Sequence, residues 1–231
     1  MPYDLISFDL DGTLVDTAAE IAEAANLTLE SHGIARRPTA EIVHLIGAGA
    51  HELMRKLLAR IVAEHPDLAA TLRQDDVLAS LDEHYAATTG SSARPYDGCV
   101  DALERLKAAG VRLACVTNKE FRHAQRVLRV TGIEHYFDLT IGGDSLPAKK
   151  PHASVLHHVV AAFGGSASRT AHVGDSATDV AAARNAGVSA WAVPYGYNAG
   201  VPITESNPER LFQNLSQVAD HVLAGRAALQ S

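Results

Sequence analysis

Two carboxylates two residues apart at the end of an apolar run, Asp9 and Asp11 in Phe8-Asp9-Leu10-Asp11-Gly12-Thr13-Leu14, are the side chains of this sequence best placed to do chemistry. Along an extended strand side chains alternate, so the two start on one side, about 6 to 7 Å apart. Like charges that close repel unless something compensates them. A divalent cation with oxygen ligands would do so, and a strand that stops at Gly12 would hold both groups at the mouth of a sheet, where ligands bind. One carboxylate could then attack an electrophile while the other carries a proton. The plain structural alternative is an Asp-Gly turn closing an edge hairpin.

Three more polar groups follow apolar runs. Thr117-Asn118 could hold anionic oxygens, or could be an ordinary turn or helix cap. In Lys149-Lys150-Pro151 a lysine could neutralise phosphate charge at a helix start fixed by the proline, or could simply be solvated. Gly174-Asp175-Ser176-Ala177-Thr178-Asp179 brings two further carboxylates ahead of a helix whose N-terminus attracts anions, and also reads as helix capping. In a parallel sheet all strand ends of one kind face the same way, so the four groups would converge in one crevice.

The elements that must position them are legible as periodicity. Apolar runs at residues 5–10, 111–117, 137–141, 170–174 and 189–193 alternate with helical patterns at 99–109, 120–131, 154–163 and 178–186. Gly110, Gly132 and Gly187 mark helix stops. The alternation predicts an α/β fold, a Rossmann-like parallel sheet with helices on both faces. Residues 17–94 break the rhythm: helical patterns cover 18–31, 41–46, 50–62 and 77–89 with no strand, and a small, polar, proline-bearing segment at 90–95 suits a linker. The expected organisation is an α/β core domain of 1–16 and 95–231 with a small α-helical cap domain of 17–94 inserted after the first strand, lying over the sheet mouth.

Composition narrows the function classes. In a chain of 231 residues, 47% hydrophobic and 20% charged side chains are enough for a sizeable core and too apolar for disorder. A net charge of −7 with scattered Lys and Arg opposes a nucleic-acid partner. No basic leader and no apolar stretch of membrane-spanning length is present, so the expectation is a cytoplasmic protein without a membrane partner. Cys99 and Cys115 sit beside apolar residues and read as reduced core thiols. His152, His157, His158 and His172 have no metal-ligand spacing with cysteines and read as surface or satisfied core residues.

In that order, Asp9-Leu10-Asp11-Gly12-Thr13, Thr117-Asn118, Lys150-Pro151 and Gly174-Asp175-Ser176-Ala177-Thr178-Asp179 resemble the four motifs of the haloacid dehalogenase-like hydrolase superfamily, over nearly the whole chain. The resemblance implies a magnesium-dependent phosphatase working through a phospho-aspartyl enzyme. Asp9 would be the nucleophile, and Asp11 would protonate the leaving oxygen and later activate water. Gly12, Thr117, Asn118 and Lys150 would hold the phosphoryl group. Asp9, Asp175 and the Asp11 main-chain carbonyl would ligate Mg2+, with Asp179 supporting the metal shell. Asp11 argues against halide cleavage, which needs no proton donor.

Val116-Thr117-Asn118-Lys119, Gly142-Gly143-Asp144-Ser145 and Tyr195-Gly196-Tyr197-Asn198 are similar to phosphoglycolate phosphatases, with Ala48 and Ala153 as departures. The substrate implied is a small phosphorylated metabolite, 2-phosphoglycolate first. A sugar-phosphate phosphatase, a β-phosphoglucomutase-like phosphoryl transferase and a non-catalytic binding module remain alternatives, and a monomer or homodimer is expected. Gly47 and Gly49 could let the cap backbone approach the substrate, or could merely end one helix and begin the next. Arg36, Arg37 and Arg55 are further candidates from the cap for a substrate carboxylate.

Overall fold

The computed structural model describes residues 3–227, so Met1, Pro2 and 228–231 of the expected core lie outside the described residues. In chain order β1 (Leu5–Phe8) and β2 (Val15–Asp16) lead into α1 (Ala18–Ser31), α2 (Thr39–Val43), α3 (Ala50–Glu64) and α4 (Gln74–Thr88). The chain returns through β3 (Arg94–Pro95), α5 (Cys99–Ala108), β4 (Arg112–Val116), α6 (Phe121–Val130) and β5 (Leu139–Ile141). It closes with α7 (Ala153–Ala162), β6 (Thr170–Gly174), α8 (Ala177–Ala186), β7 (Ser189–Ala192), β8 (Arg210–Leu211) and α9 (Leu215–Ala227).

Six strands form one sheet in the order β5-β4-β1-β6-β7-β8, every neighbouring pair parallel. All four residues of β1 are buried, as a central strand covered on both faces requires. Alternate side chains go to opposite layers: Ile6 and Phe8 pack with α5, α6 and α9, and Leu5 packs with α7 and α8. The register sets Phe8 opposite both Cys115 and Val173. Asp9, Thr117 and Asp175, the first residues beyond β1, β4 and β6, therefore leave the sheet along one edge.

The first strand ends two residues before the expected boundary. Beyond Phe8 the chain turns so tightly that the amides of Thr13, Leu14 and Val15 all donate to Leu10 O. β5 is likewise shorter than the run at 137–141, and the pattern at 41–46 yields only the five-residue α2, which begins after Pro38. β2 pairs antiparallel with β3, so part of the expected linker is a strand tying both ends of the helical insertion together. Strands of two residues carry no periodicity to read; β8 and α9 also went unmarked in the sequence.

Helices α1 to α4 build a core of their own. Ile21, Ala25 and Leu29 of α1, Leu53, Leu57 and Ile61 of α3, and Val77, Leu81 and Tyr85 of α4 recur at four-residue intervals and pack together. Removing a fully buried side chain there, Leu57 to Ala, costs about 2–5 kcal/mol. Both cysteines are free and buried; burial pushes the Cys99 thiol up to about 12 and that of Cys115 higher still. Among the described residues no helix is long and apolar enough to cross a membrane.

Candidate active site

Asp9 stands immediately beyond β1, its amide donating to Val173 O at 2.9 Å. Lys150 Nζ lies 2.8 Å from Asp9 Oδ1 and 2.7 Å from Asp179 Oδ1, and only 2% of the lysine side chain is exposed. Asp179 is fully committed to the protein: Oδ1 accepts from Lys150 and stands 3.2 Å from His172 Nε2, while Oδ2 accepts from the Ser176 amide and hydroxyl. Asp175 accepts from Thr13 Oγ1 at 3.2 Å and from the Tyr197 amide at 2.6 Å. Carboxylate oxygens of Asp9, Asp175 and Asp179 all lie within 4.8 Å of one another.

Three buried carboxylates crowd together and only two of them, Asp9 and Asp179, pair with Lys150; the imbalance is visible in their titration. Burial drives Asp9 up to about 7, against the pull of Lys150, and burial with the charges of Asp179 and Asp9 lifts Asp175 well above the usual carboxylate range. Burial acts on Asp179 as well, but Lys150 and His172 outweigh it and hold that carboxyl well below the usual range. Asp9 Oδ1 is buried with no aligned hydrogen-bond donor despite the nearby ammonium. An oxygen-liganded divalent cation fits this set: Asp9 and Asp175 have capacity to spare, and Asp179 stands behind them with both oxygens engaged.

Gly12 makes the turn possible. Its φ is +85°, its amide donates to Val15 O at 2.9 Å, and a Cβ there would run into the Asp175 carboxylate and the Tyr197 ring. In this arrangement the amide closes the loop rather than facing an anion. Thr117 and Asn118 line a cavity together with Asp9 and Asp11. Thr117 Oγ1 accepts from the Lys119 amide at 3.2 Å, and Asn118 Nδ2 donates to Gly47 O and Lys150 O, leaving Asn118 Oδ1 buried without a partner.

Asp11 has partners that sequence reading did not assign. Thr17 Oγ1 donates to Asp11 Oδ1 at 2.7 Å, and Lys119 Nζ donates to Oδ1 and Oδ2 at 3.0 and 3.3 Å. The same ammonium donates to the Tyr85 hydroxyl of α4. Burial opposes the charge on Lys119, but Asp11 and Tyr85 hold it above the ordinary lysine range. In the sequence Lys119 stands out only as the neighbour of Thr117-Asn118. Tyr85 falls on an apolar helical stripe and reads as core, which it also is.

The helical insertion covers this floor. The cavity measures about 30 Å³, roughly two waters' worth of room, and Ile46, Gly47, Gly49, Ala50, Leu53 and Tyr85 form its roof. Gly47 and Gly49 have φ of +133° and +95°, and Gly49 precedes the first turn of α3, so these glycines both join two helices and face the cavity. Arg36 and Arg37 are spent on ion pairs with Glu23 and Glu30, and with Glu41 and Glu64, at the surface. Arg55 is exposed beside Glu52.

Comparisons with known proteins agree with this geometry. The family model of the haloacid dehalogenase-like hydrolases matches residues 3–187. The chain is 36% identical over 219 residues to a phosphoglycolate phosphatase of Thiobacillus denitrificans, covering 95% of each protein. It is 37% identical over 215 residues to that of Nitrosospira multiformis, covering 93% of each. The crystal structure of a predicted phosphoglycolate phosphatase from Haemophilus somnus superposes with a TM-score of 0.85 at 32% identity, covering 94% of this chain and 97% of the other. With the four strand-end groups gathered at one sheet edge and the match running through all of them, this chain belongs to the haloacid dehalogenase-like hydrolase family.

Proposed function

We propose that the protein is a magnesium-dependent phosphomonoesterase that hydrolyses 2-phosphoglycolate through an aspartyl-phosphate on Asp9, and that residues 17–94 act as the cap of a core made of 1–16 and 95–231. The observation that carries the reading is the isolation of Asp9: a buried carboxylate on the floor of a small roofed cavity, with one oxygen short of donors and a lysine at its back.

A carboxylate attacking a phosphate dianion faces charge repulsion, which the site must screen. Lys150 screens Asp9 from one side and is itself fixed by Asp179. Thr117 and Asn118, directly beyond the end of β4, are placed to donate to phosphoryl oxygens once the substrate competes for their present partners. Asp9 Oδ attacks phosphorus, the ester P–O bond breaks, and the proton for the leaving oxygen comes from Asp11. Asp11 then takes a proton from water as that water attacks the aspartyl-phosphate, restoring Asp9 and releasing phosphate. Mg2+ held by Asp9, Asp175 and the Asp11 carbonyl would neutralise the surplus negative charge of the cluster and of the transferring group.

The roof supports a small substrate. Ile46, Gly47, Ala50 and Leu53 line the same space as Asp9 and Asp11, so whatever is attached to the phosphoryl group must fit beneath these residues. Lys119 and the α3 N-terminus at Gly49 and Ala50 are the cationic group and the positive helix end that face that space, which suits a carboxylate.

The test is free-phosphate release from a phosphomonoester panel with and without Mg2+. Magnesium-dependent release concentrated on 2-phosphoglycolate is expected. Preference for a hexose phosphate would overturn the substrate, and phosphate retained on a sugar product would favour the phosphoryl-transferase alternative.

A further inference from the structure

We propose that His172 of β6 is a positioning residue: its Nε2–H, fixed by Ser7 of β1, holds the Asp179 carboxylate so that Lys150 stays shared between Asp179 and Asp9. The effect on turnover rests on the phosphatase reading; the arrangement of the side chains does not. Ser7 and His172 are partners in the parallel register of β1 and β6, and both are buried. A hydroxyl and an imidazole in the middle of a sheet are costly to bury unless each is paired. Ser7 Oγ lies 2.9 Å from His172 Nδ1, and His172 Nε2 lies 3.2 Å from Asp179 Oδ1. Lys150 Nζ reaches that same oxygen at 2.7 Å and Asp9 Oδ1 at 2.8 Å, so a chain of buried contacts runs from β1 to the attacking carboxylate.

The donors and acceptors around the ring select its tautomer. Burial lowers His172 below the ordinary histidine range, against the pull of Asp179, so at neutral pH the ring has a single N–H. Asp179 is held ionised and can only accept, which puts that proton on Nε2. Nδ1 is then an acceptor, and the Ser7 hydroxyl supplies its donor. The other acceptor within reach of that hydroxyl, Ala171 O, is farther away at 3.3 Å. Ser7 therefore favours the form of His172 that donates to Asp179.

His172 and Gly174 are two residues apart on β6 and share a face, and Gly174 lets Asp179 settle onto it: a Cβ there would come 2.2 Å from Asp179 Cβ. So packed, Asp179 has two donors on each oxygen, the Ser176 amide and hydroxyl on Oδ2, and Lys150 and His172 on Oδ1. Without the imidazole, Oδ1 turns its whole charge on Lys150 at the expense of Asp9. The ammonium would then be drawn to the supporting carboxylate and would screen the attacking one less. His172 thus acts on Asp9 only through Asp179 and Lys150.

Two variants separate the donor from the bulk of the ring: His172→Gln can keep an N–H where Nε2 stood, whereas His172→Asn reaches only as far as Nδ1 and leaves Oδ1 to Lys150 alone. Nitrogen NMR of isotope-labelled protein in excess Mg2+ should show a protonated Nε2 and a bare Nδ1 on the wild-type His172 ring. The buried Lys150 ammonium signal should shift in His172→Asn and keep its wild-type place in His172→Gln. Phosphate release should follow the same order, with kcat falling about tenfold in His172→Asn and about threefold at most in His172→Gln, whereas a packing role alone would cost both variants alike. A proton on Nδ1 in the wild type, a Lys150 signal unmoved in His172→Asn, or an equal loss of kcat in the two variants would overturn the proposal. The expected tautomer and Lys150 shift in a protein that releases no phosphate from any ester would instead count against the phosphatase reading.

Discussion

Asp9 and Asp11 sit two residues apart yet occupy different electrical surroundings, a difference that supports the two separate roles proposed for them. Asp9 faces Lys150 and the buried carboxylates; Asp11 faces Thr17, Lys119 and, through Lys119, the insertion. Asp9→Asn keeps the shape and removes the proposed nucleophile, so phosphate release should fall on the order of 10⁴-fold or more with the fold intact. Near-wild-type release would remove Asp9 from the mechanism. His123 supports a separate prediction about stability. Its imidazole titrates near 4 in the fold and near 6.5 in the unfolded chain, so between those values the unfolded state binds more protons. Stability should therefore fall as pH drops from about 6.5 towards 4. Chemical denaturation at several pH values checks this, with His123→Gln expected to flatten that part of the slope and an unchanged slope counting against it.

At the scale of elements, the parallel register and the ends of β1, β4 and β6 bring Asp9, Thr117 and Asp175 together. Most of that was legible, because buried central strands are continuous apolar runs and the groups that end them are polar. Helix α1 matched its expected bounds for the same reason, a regular stripe over a long segment. What was not legible depends on contacts between distant segments. Tyr85 looks like one more apolar position on α4, and Glu20 like an exposed acid on α1, although it is buried and accepts from the Gly90 and Ser92 amides at the end of the insertion. The β2–β3 pair is too short to have a period. Tyr85 supplies the prediction at this scale: Tyr85→Phe leaves the α4 stripe packed but takes an acceptor from Lys119. A hydrogen bond to a charged group contributes about 1.5–3 kcal/mol to stability, so Tm should fall by several degrees, and kcat/KM of the folded enzyme should fall too because Lys119 is held less firmly against Asp11. Unchanged kinetics would separate the insertion from the acid–base residue.

Over the whole molecule, the crowded carboxylates make folding and metal binding interdependent. Three crowded buried acids, of which only two pair with a lysine, burden the metal-free fold, and a cation that binds only the folded chain stabilises it by mass action, about 2.7 kcal/mol at a hundred times its Kd. Saturating Mg2+ should raise Tm by roughly 5–10 °C for a chain of this size, and Asp175→Asn should lose most of that response. A rise of equal size in the variant, followed by calorimetry or circular dichroism, would place the stabilising ion elsewhere.

The central claim, that phosphate passes through a covalent bond to Asp9, is tested most directly by acid-quenching the enzyme during turnover of 2-phosphoglycolate with Mg2+ and mapping its peptides by mass spectrometry. Wild type should carry one phosphoryl group on the peptide containing Asp9, and Asp11→Asn should accumulate more of it because hydrolysis of the intermediate has lost its base. Steady phosphate release with no phosphorylated peptide in either protein, or with the group on another residue, would contradict the account.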